Sequence, residues 1–219
     1  MSRQAILKAV RVANLTRRAA PPSIVARQTP RPTTSRQQLE HEFTTRLQAC
    51  GVNVERLEAW SDVPAAIVRH VAAAHLPLMI RHGTDPLITG LPWNMALGLQ
   101  RRLGAASPDD LATLSRALFG ISETGTLLLG SGADNPVTLA FLPELHIVVL
   151  DEVNIVATME EALAAVGEPG DAPRLPRTVN LISGASRTGD IGGRLVMGAH
   201  GPRQLVVLLA GGDQENGAG

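Results

Sequence analysis

Tyrosine is absent from the sequence, and aromatic residues make up only 2% of the 219-residue chain. Proteins that hold single-stranded nucleic acid stack its bases on aromatic side chains, so the sequence argues against nucleic-acid binding. Cysteine is almost absent as well, since Cys50 is the single example. One cysteine excludes an intramolecular disulfide and leaves the chain unable to ligate an iron–sulfur cluster by itself, so any such centre has to come from a partner protein.

Long apolar runs are also missing. The longest, such as residues 205–210, have the length of a strand and fall far short of the roughly 18 apolar residues that indicate a membrane helix. The arginine-rich beginning has no apolar stretch of the secretory-signal kind, so we expect a cytoplasmic protein, with a mitochondrial-type presequence as the alternative. The six histidines show no tight metal-binding spacing, and we expect no dedicated metal site.

Acidic and basic residues number 20 each, but they are distributed unevenly. The first 39 residues carry eight basic side chains and no carboxylate, so the remaining residues together carry eight excess negative charges. Apolar spacing predicts a short helix over residues 2–12, and four prolines between residues 19 and 34 predict an extended segment. We therefore expect a helix and basic proline-containing arm over residues 1–34, an α/β domain over 35–210 and a flexible tail over 211–219.

Apolar periodicity in the rest of the chain predicts strands that alternate with helices. Capping patterns at Ser35 with Gln38 and at Thr158 with Glu161 open two of the helices. Two further helices are predicted over residues 64–74 and 107–120, and strands over residues 52–57, 77–81, 126–129, 146–150, 179–182 and 204–209. Continuously apolar strands are typical of a mainly parallel sheet buried on both faces, which predicts a three-layer α/β/α fold. Functional loops are then expected at the carboxyl ends of the strands.

The first of three candidate loops spans residues 120–126 and places Glu123 and Thr124 between two glycines. Because glycine permits a close approach of the backbone, Glu123 could face a ligand as nucleophile, base or hydrogen-bond acceptor. The alternative is structural: Glu123 caps backbone amides in a tight turn.

The second loop, residues 183–190, combines hydroxyls, glycine and an arginine directly after a predicted strand. Ser183, Gly184, Ser186, Arg187 and Thr188 predict a cradle for a carboxylate or phosphate. The loop has neither a Walker A sequence nor the dinucleotide-binding glycine pattern. Its structural alternative is an ordinary turn, in which Ser186 or Thr188 caps a following helix and Arg187 pairs with Asp190.

The third loop, residues 198–202, contains His200 beside a Gly-Pro pair. Histidine can act as acid, base or ligand near neutral pH, although a histidine at such a position is often a turn residue bonded to backbone. His146, at the start of a predicted strand, has the same two interpretations.

Four segments together resemble one known family. They are residues 120–127, 142–149, 182–191 and 198–202, with the sequences GISETGTL, LPELHIVV, ISGASRTGDI and GAHGP. In order, spacing and composition they resemble the LUD domain, the family of lactate utilization protein C. The resemblance implies a fold similar to the NagB/RpiA/CoA-transferase-like superfamily of sugar-phosphate isomerases and CoA transferases. It also implies a cytoplasmic subunit that oxidises L-lactate to pyruvate together with two iron–sulfur proteins.

The candidate loops and the family resemblance together give the expected site. Glu123, His200 and Asp190 are expected to act in catalysis, and the substrate or anion is expected to contact Ser183, Gly184, Ser186, Arg187, Thr188 and Thr124. The sequence departs from the family pattern after Asp190-Ile191, where Gly192 stands in place of the usual glutamate. A free-standing enzyme or sensor that binds an acyl-CoA, a sugar phosphate or a carboxylate is the alternative function.

Overall fold

The computed structural model describes residues 35–166, 176–191, 194–198 and 200–211, together with residues 4, 5 and 8. For residues 189–191 and 194–196 it describes the backbone only. The chain divides into two units, Met1–Thr33 and Thr34–Gly219, and the second contains every element described below. Residues 4, 5 and 8 are helical, but the rest of the predicted first helix, the basic arm and the tail beyond residue 211 lie outside the described residues.

Six parallel strands form the central sheet. They are β1 (Asn53–Leu57), β2 (Met79–His82), β3 (Gln100–Leu103), β4 (Ala112–Arg116), β7 (Leu145–Asp151) and β12 (Gln204–Ala210). Their order across the sheet is β1-β12-β7-β4-β2-β3, and every neighbouring pair is parallel. The two middle strands, β7 and β4, are almost wholly buried, which explains their continuous apolar runs.

Helices cover both faces of this sheet. On one face, α2 (Val63–Ala73) buries Val63, Ile67 and Val71 completely. On the other, α1 (Arg36–Ala49) buries Phe43 and Leu47. A one-turn helix, α3 (Pro86–Thr89), follows β2. The three-layer α/β/α architecture predicted from the sequence is confirmed. Among the described residues, no helix has both the length and the apolar character that crossing a membrane requires.

A second, smaller sheet packs beside α1. Its strands are β5 (Phe119–Ile121), β6 (Thr126–Gly130), β8 (Ile155–Val156) and β9 (Val179–Ile182), in the order β8-β5-β6-β9. The predicted strands at 126–129 and 179–182 exist, but they pair antiparallel with each other in this sheet and not in the central one. Helix α4 (Met159–Val166) packs against β5 and β8, and its Ala162 is fully buried.

The two predicted helix-capping patterns are confirmed. Ser35 Oγ accepts a hydrogen bond of 3.2 Å from the amide of Gln38 at the start of α1. Thr158 Oγ1 accepts one of 3.1 Å from the amide of Glu161, whose carboxylate accepts 2.9 Å from the amide of Ala157. Both helices begin where the sequence predicts, because side-chain oxygens satisfy amides of the first turn.

The helix predicted over residues 107–120 is wrong, because this segment forms β4 and β5. The Asp110 carboxylate turns back and accepts hydrogen bonds of 2.8 Å from both the amide and the hydroxyl of Ser107. This closes a turn instead of opening a helix. Residues 112–115 are then buried on both sides, so their side chains show no alternation that would identify a strand.

The turn into a following helix, which was the structural alternative for the second candidate loop, is also wrong. The chain instead forms an antiparallel hairpin of β10 (Arg187–Ile191) and β11 (Arg194–Met197). Ser186 and Thr188 therefore do not cap a helix there. Gly192 itself lies outside the described residues.

Candidate functional site

A pocket of about 230 Å³ lies at the amino-terminal edge of the central sheet, where β7 and β12 begin. Its lining residues are Ala140, Phe141, His146, Leu181, Ile182, Ser183, Gly184, Ser186, His200, Gly201, Pro202 and Leu205. The expected position at the carboxyl ends of the parallel strands is wrong for this cluster. The reason is topological: residues 198–202 lead into β12, and residues 183–186 follow a strand of the smaller sheet.

Three of the four family-like segments line this pocket, and the fourth is bonded to its wall. The segments at 142–149, 182–191 and 198–202 supply His146, Ser183 and His200 respectively. The segment at 120–127 supplies Thr126, whose hydroxyl lies 2.7 Å from that of Ser183. Residues far apart in sequence thus meet at one place.

Backbone hydrogen bonds hold the second and third candidate loops together. The amide of Ser186 donates to the carbonyl of Pro202 at 2.8 Å, and the amide of Gly198 donates to the carbonyl of Ser186 at 2.8 Å. A Cβ on Gly201 would lie 3.3 Å from that of Ser186, so the loops are in close contact. These hydrogen bonds and the close contact hold the pocket wall in place within the fold.

A chain of three hydroxyls leads from the β5–β6 turn to the pocket. Thr124 Oγ1 lies 2.7 Å from Thr126 Oγ1, which in turn lies 2.7 Å from Ser183 Oγ. Thr126 is buried, whereas Ser183 is exposed. Because each hydroxyl can both donate and accept, the chain links Ser183 to the β5–β6 turn with either direction of hydrogen bonding.

His146 forms the deepest polar part of the pocket lining. Its ring Nε2 lies 3.0 Å from the hydroxyl of Ser115 on β4, and both side chains are about 1% exposed. Burial lowers the pKa of His146 from 6.5 to about 3, because an imidazolium would lose its hydration. The imidazole is therefore neutral at physiological pH. The sequence suggests His146 only weakly, because a histidine that starts an apolar strand looks structural.

His200 stands at the exposed mouth of the pocket. It also borders a wider groove of about 540 Å³ that shares Phe141 and Gly201 with the pocket wall. The side chains of Phe141 and Leu142 are 45% and 43% exposed along this groove. The pocket thus opens onto a broad surface with exposed apolar side chains.

Two expected site residues lie elsewhere and bond to backbone. Arg187 donates from Nη2 to the carbonyl of Cys50 at 2.8 Å, at the end of α1. Glu123 accepts a hydrogen bond of 2.8 Å from the amide of Met159, at the start of α4. Neither residue lines the pocket. The catalytic role suggested for Glu123 and the anion-clamping role suggested for Arg187 stay predictions.

The remaining expected residues are placed as follows. Gly184 lines the pocket and packs against Cys50, since a Cβ added to it would lie 3.4 Å from the Cys50 Cβ. Thr188 is buried within β10. Asp190 lies on β10, and its side chain is outside the described part of the structure.

The Glu123 cap gives a testable prediction. Replacement of Glu123 by alanine removes the acceptor for the Met159 amide and should lower the free energy of unfolding by about 1 kcal/mol. Glu123→Gln keeps a side-chain oxygen at that position and should stay within about 0.5 kcal/mol of the wild type. Urea denaturation of the two variants measures this difference. Equal loss in both would show that the charge, and not the cap, stabilises the turn.

Comparison with known proteins shows the family of this chain. The family model described as the LUD domain matches residues 109–210. The chain is 31% identical over 183 residues to lactate utilization protein C of Deinococcus radiodurans, covering 81% of this chain and 82% of that protein. It is 36% identical over 96 residues to the uncharacterized protein YkgG of Escherichia coli, and this match spans 42% of this chain and 41% of that protein.

A solved structure agrees with the fold. The crystal structure of a DUF162 family protein from Deinococcus radiodurans superposes with a TM-score of 0.57 at 26% sequence identity. It covers 81% of this chain and 99% of its own. The similarity to the Deinococcus lactate utilization protein C extends over most of both sequences, and the segments that carry the resemblance converge on one pocket. The chain therefore belongs to the LUD domain family, which includes lactate utilization protein C.

Proposed function

We propose that this chain takes part in lactate utilization by binding L-lactate in the pocket at the amino-terminal edge of the sheet. Together with iron–sulfur partner proteins it oxidises the lactate to pyruvate. One observation carries the proposal: the segments characteristic of the family contribute Ser183, Ser186, His146 and His200 to a single pocket. A relative named lactate utilization protein C, similar along most of its length, supports lactate as the ligand.

The pocket chemistry suits a small, partly apolar acid. Leu181, Ile182 and Leu205 offer apolar surface for a methyl group, while hydroxyls and imidazoles offer hydrogen bonds to a carboxylate and a hydroxyl. The lining contains no lysine or arginine among the described residues, so neutral donors would hold the carboxylate. A volume of about 230 Å³ is below the ~300 Å³ at which pockets for drug-sized ligands begin. An acyl-CoA is therefore not favoured.

The exposed His200 has a role in the proposed reaction. Oxidation of lactate to pyruvate removes two electrons and two protons, one proton from the hydroxyl and one hydrogen from the adjacent carbon. His200, at the pocket mouth, would accept the hydroxyl proton as general base. The proton from the carbon that bears the hydroxyl passes to a base on the partner proteins. The two electrons pass, one at a time, to the iron–sulfur clusters of these partners, since the single Cys50 cannot ligate a cluster alone. The broad groove beside His200 would give a partner access to the pocket.

The basic amino-terminal arm provides a partner-binding prediction. Its seven positive charges, without a carboxylate, would attract an acidic surface of an iron–sulfur partner. A chain that lacks residues 1–34 should bind the partners more weakly, and its remaining affinity should depend less on salt concentration. Pull-down of the partners between 50 mM and 500 mM NaCl measures both effects. Unchanged affinity and salt dependence would show that the arm serves another purpose.

Co-purification tests the proposed function. The tagged full-length chain is isolated from cells grown on lactate, the iron content of the complex is measured, and L-lactate binding to the isolated chain is measured by calorimetry. Recovery of iron-containing partners and saturable lactate binding would support the proposal. A His200→Gln variant should lose at least about 100-fold in lactate-dependent dye reduction by the complex, whereas the exposed-helix control His41→Gln should retain it. A chain that purifies without iron and without lactate affinity would contradict the proposal.

A further inference from the structure

A buried histidine with an unused hydrogen-bonding atom lines the pocket. His146 is about 1% exposed, and its Nε2 is bonded to Ser115 Oγ at 3.0 Å. Its other ring nitrogen, Nδ1, is buried without a hydrogen-bond partner among the described residues. The neighbouring strand positions on β7, Leu145 and Ile147, are apolar and fully buried, so His146 is the polar exception in this part of the strand.

An unsatisfied buried nitrogen is unfavourable and requires an explanation. Leaving a buried donor or acceptor without a partner destabilises a fold, and native proteins seldom do so without a ligand or water in its place. Because His146 lines the pocket, a molecule bound there is the candidate partner for Nδ1, and its binding has to displace the atoms that cover this nitrogen. The imidazole is neutral, so it recognises its partner by a hydrogen bond and not by charge.

We infer that Nδ1 of His146 hydrogen-bonds the 2-hydroxyl group of the bound acid and makes the pocket selective for 2-hydroxy acids over the corresponding unsubstituted acids. This inference rests on the proposed function and adds to it the group that reads the hydroxyl. A hydroxyl suits this position because its oxygen can accept from the ring N–H at Nδ1 while its own proton stays available to His200. Ser115 is a positioning residue: its bond to Nε2 fixes the orientation of the ring.

Comparison of two ligands isolates the hydroxyl contact. Propionate is L-lactate without the hydroxyl, so the ratio of their dissociation constants reports that group alone. The wild type should bind L-lactate at least about tenfold more tightly than propionate, which corresponds to one net hydrogen bond in a buried site. His146→Leu should reduce the ratio to about twofold or less while propionate affinity stays nearly unchanged. The exposed control His41→Leu should keep the wild-type ratio.

A second variant and a measurement on the wild type keep the inference testable even if His146→Leu fails to fold. Ser115→Ala frees the ring and should lower the lactate-to-propionate ratio by a smaller factor than His146→Leu. In wild-type protein labelled with ¹⁵N-histidine, the Nδ1 resonance of His146 should shift on saturation with L-lactate but not with propionate. This NMR measurement needs no variant. The Nδ1 resonance of a histidine with only a structural role would not shift with L-lactate alone.

The outcomes separate the inference from the function on which it rests. If L-lactate binds but the ratio is the same in the wild type and His146→Leu, or Nδ1 does not respond, the inference is wrong and the proposed function stands. If neither acid binds the wild-type chain or its complex, lactate binding in the pocket is wrong, and the inference is wrong with it.

Discussion

Replacement of Gly83 by alanine should lower the free energy of unfolding by about 3 kcal/mol, the upper end of the usual cost of overpacking. A Cβ at this position would overlap the carbonyl oxygen of Asp134 and lie 2.6 Å from its carbon and 2.9 Å from Cδ of Pro136. The atoms in the way belong mainly to the backbone, which cannot move aside as a flexible side chain would. The amide of Asp85 also donates to the same Asp134 carbonyl at 3.2 Å, so moving that loop breaks a hydrogen bond.

A matched glycine controls for the backbone entropy that alanine changes. At Gly184 a Cβ would meet Cys50 at ordinary contact distances of 3.4 and 3.6 Å, so Gly184→Ala should alter stability by less than about 1 kcal/mol. Urea denaturation of both variants, followed by circular dichroism, gives the two free energies. A difference of less than 1 kcal/mol between them would contradict the close packing of residues 83 and 134.

Acid should begin to destabilise the protein near pH 6.5, which is well above the pH range in which carboxylates titrate. The pKa of His146 falls from 6.5 to about 3 because of burial, and burial also lowers the pKa of His82. Below pH 6.5 the unfolded chain binds protons that the folded chain does not, so stability is complete above that pH and is lost as the pH falls toward 3. Well below pH 6.5, His146 alone should remove about 1.4 kcal/mol per pH unit. The loss between pH 6.5 and 4.5 should be about 2 kcal/mol, because the slope is only half as steep near pH 6.5.

Carboxylates affect the stability of the fold at lower pH than the histidines do. The pKa values of Glu55 and Asp110 are lowered by hydrogen bonds to Arg69 and Ser107 among other partners, although burial opposes the shift. Their stabilising contributions are therefore lost only below their ordinary values of 4.5 and 3.8. Denaturation between pH 7 and 4.5 in the wild type and His146→Leu tests the assignment. The variant should show the shallower pH dependence, and the control His41→Leu should match the wild type; parallel curves for His146→Leu and the wild type would refute it.

Local signals in the sequence predicted the helix starts correctly. Ser35 and Thr158 can be identified because a capping hydroxyl contacts an amide only three residues away. The turn at Asp110 uses the same residue types and the same spacing, yet it closes on Ser107 and leads into a strand. The deciding factor is tertiary: residues 112–116 lie between β2 and β7, and pairing with both outweighs a local helix signal.

The sequence predicts which segments meet at the pocket better than it predicts where the pocket lies in the fold. The segments around Ser183, Ser186 and His200 do meet in a pocket, but at the amino-terminal edge of the sheet. Sequence could not show that β9 runs in a separate antiparallel sheet, which carries the following loop away from the expected edge. Arg187 and Glu123 have backbone partners at helix ends, and their suggested roles in the site stay predictions. The sequence cannot single out His146, because its unpaired nitrogen becomes apparent only when its surroundings are known.

Complementation of a deletion measures most directly whether lactate is bound in this pocket for oxidation. Extracts of lactate-grown cells that lack this gene are supplemented with purified chain, either wild type or Ser183→Ala/Ser186→Ala, and L-lactate-dependent dye reduction is followed. Wild-type chain should restore the rate, and the double variant, folded by circular dichroism, should restore a small fraction of it. An undiminished rate without added chain, or full restoration by the double variant, would show that lactate is not bound in this pocket for oxidation.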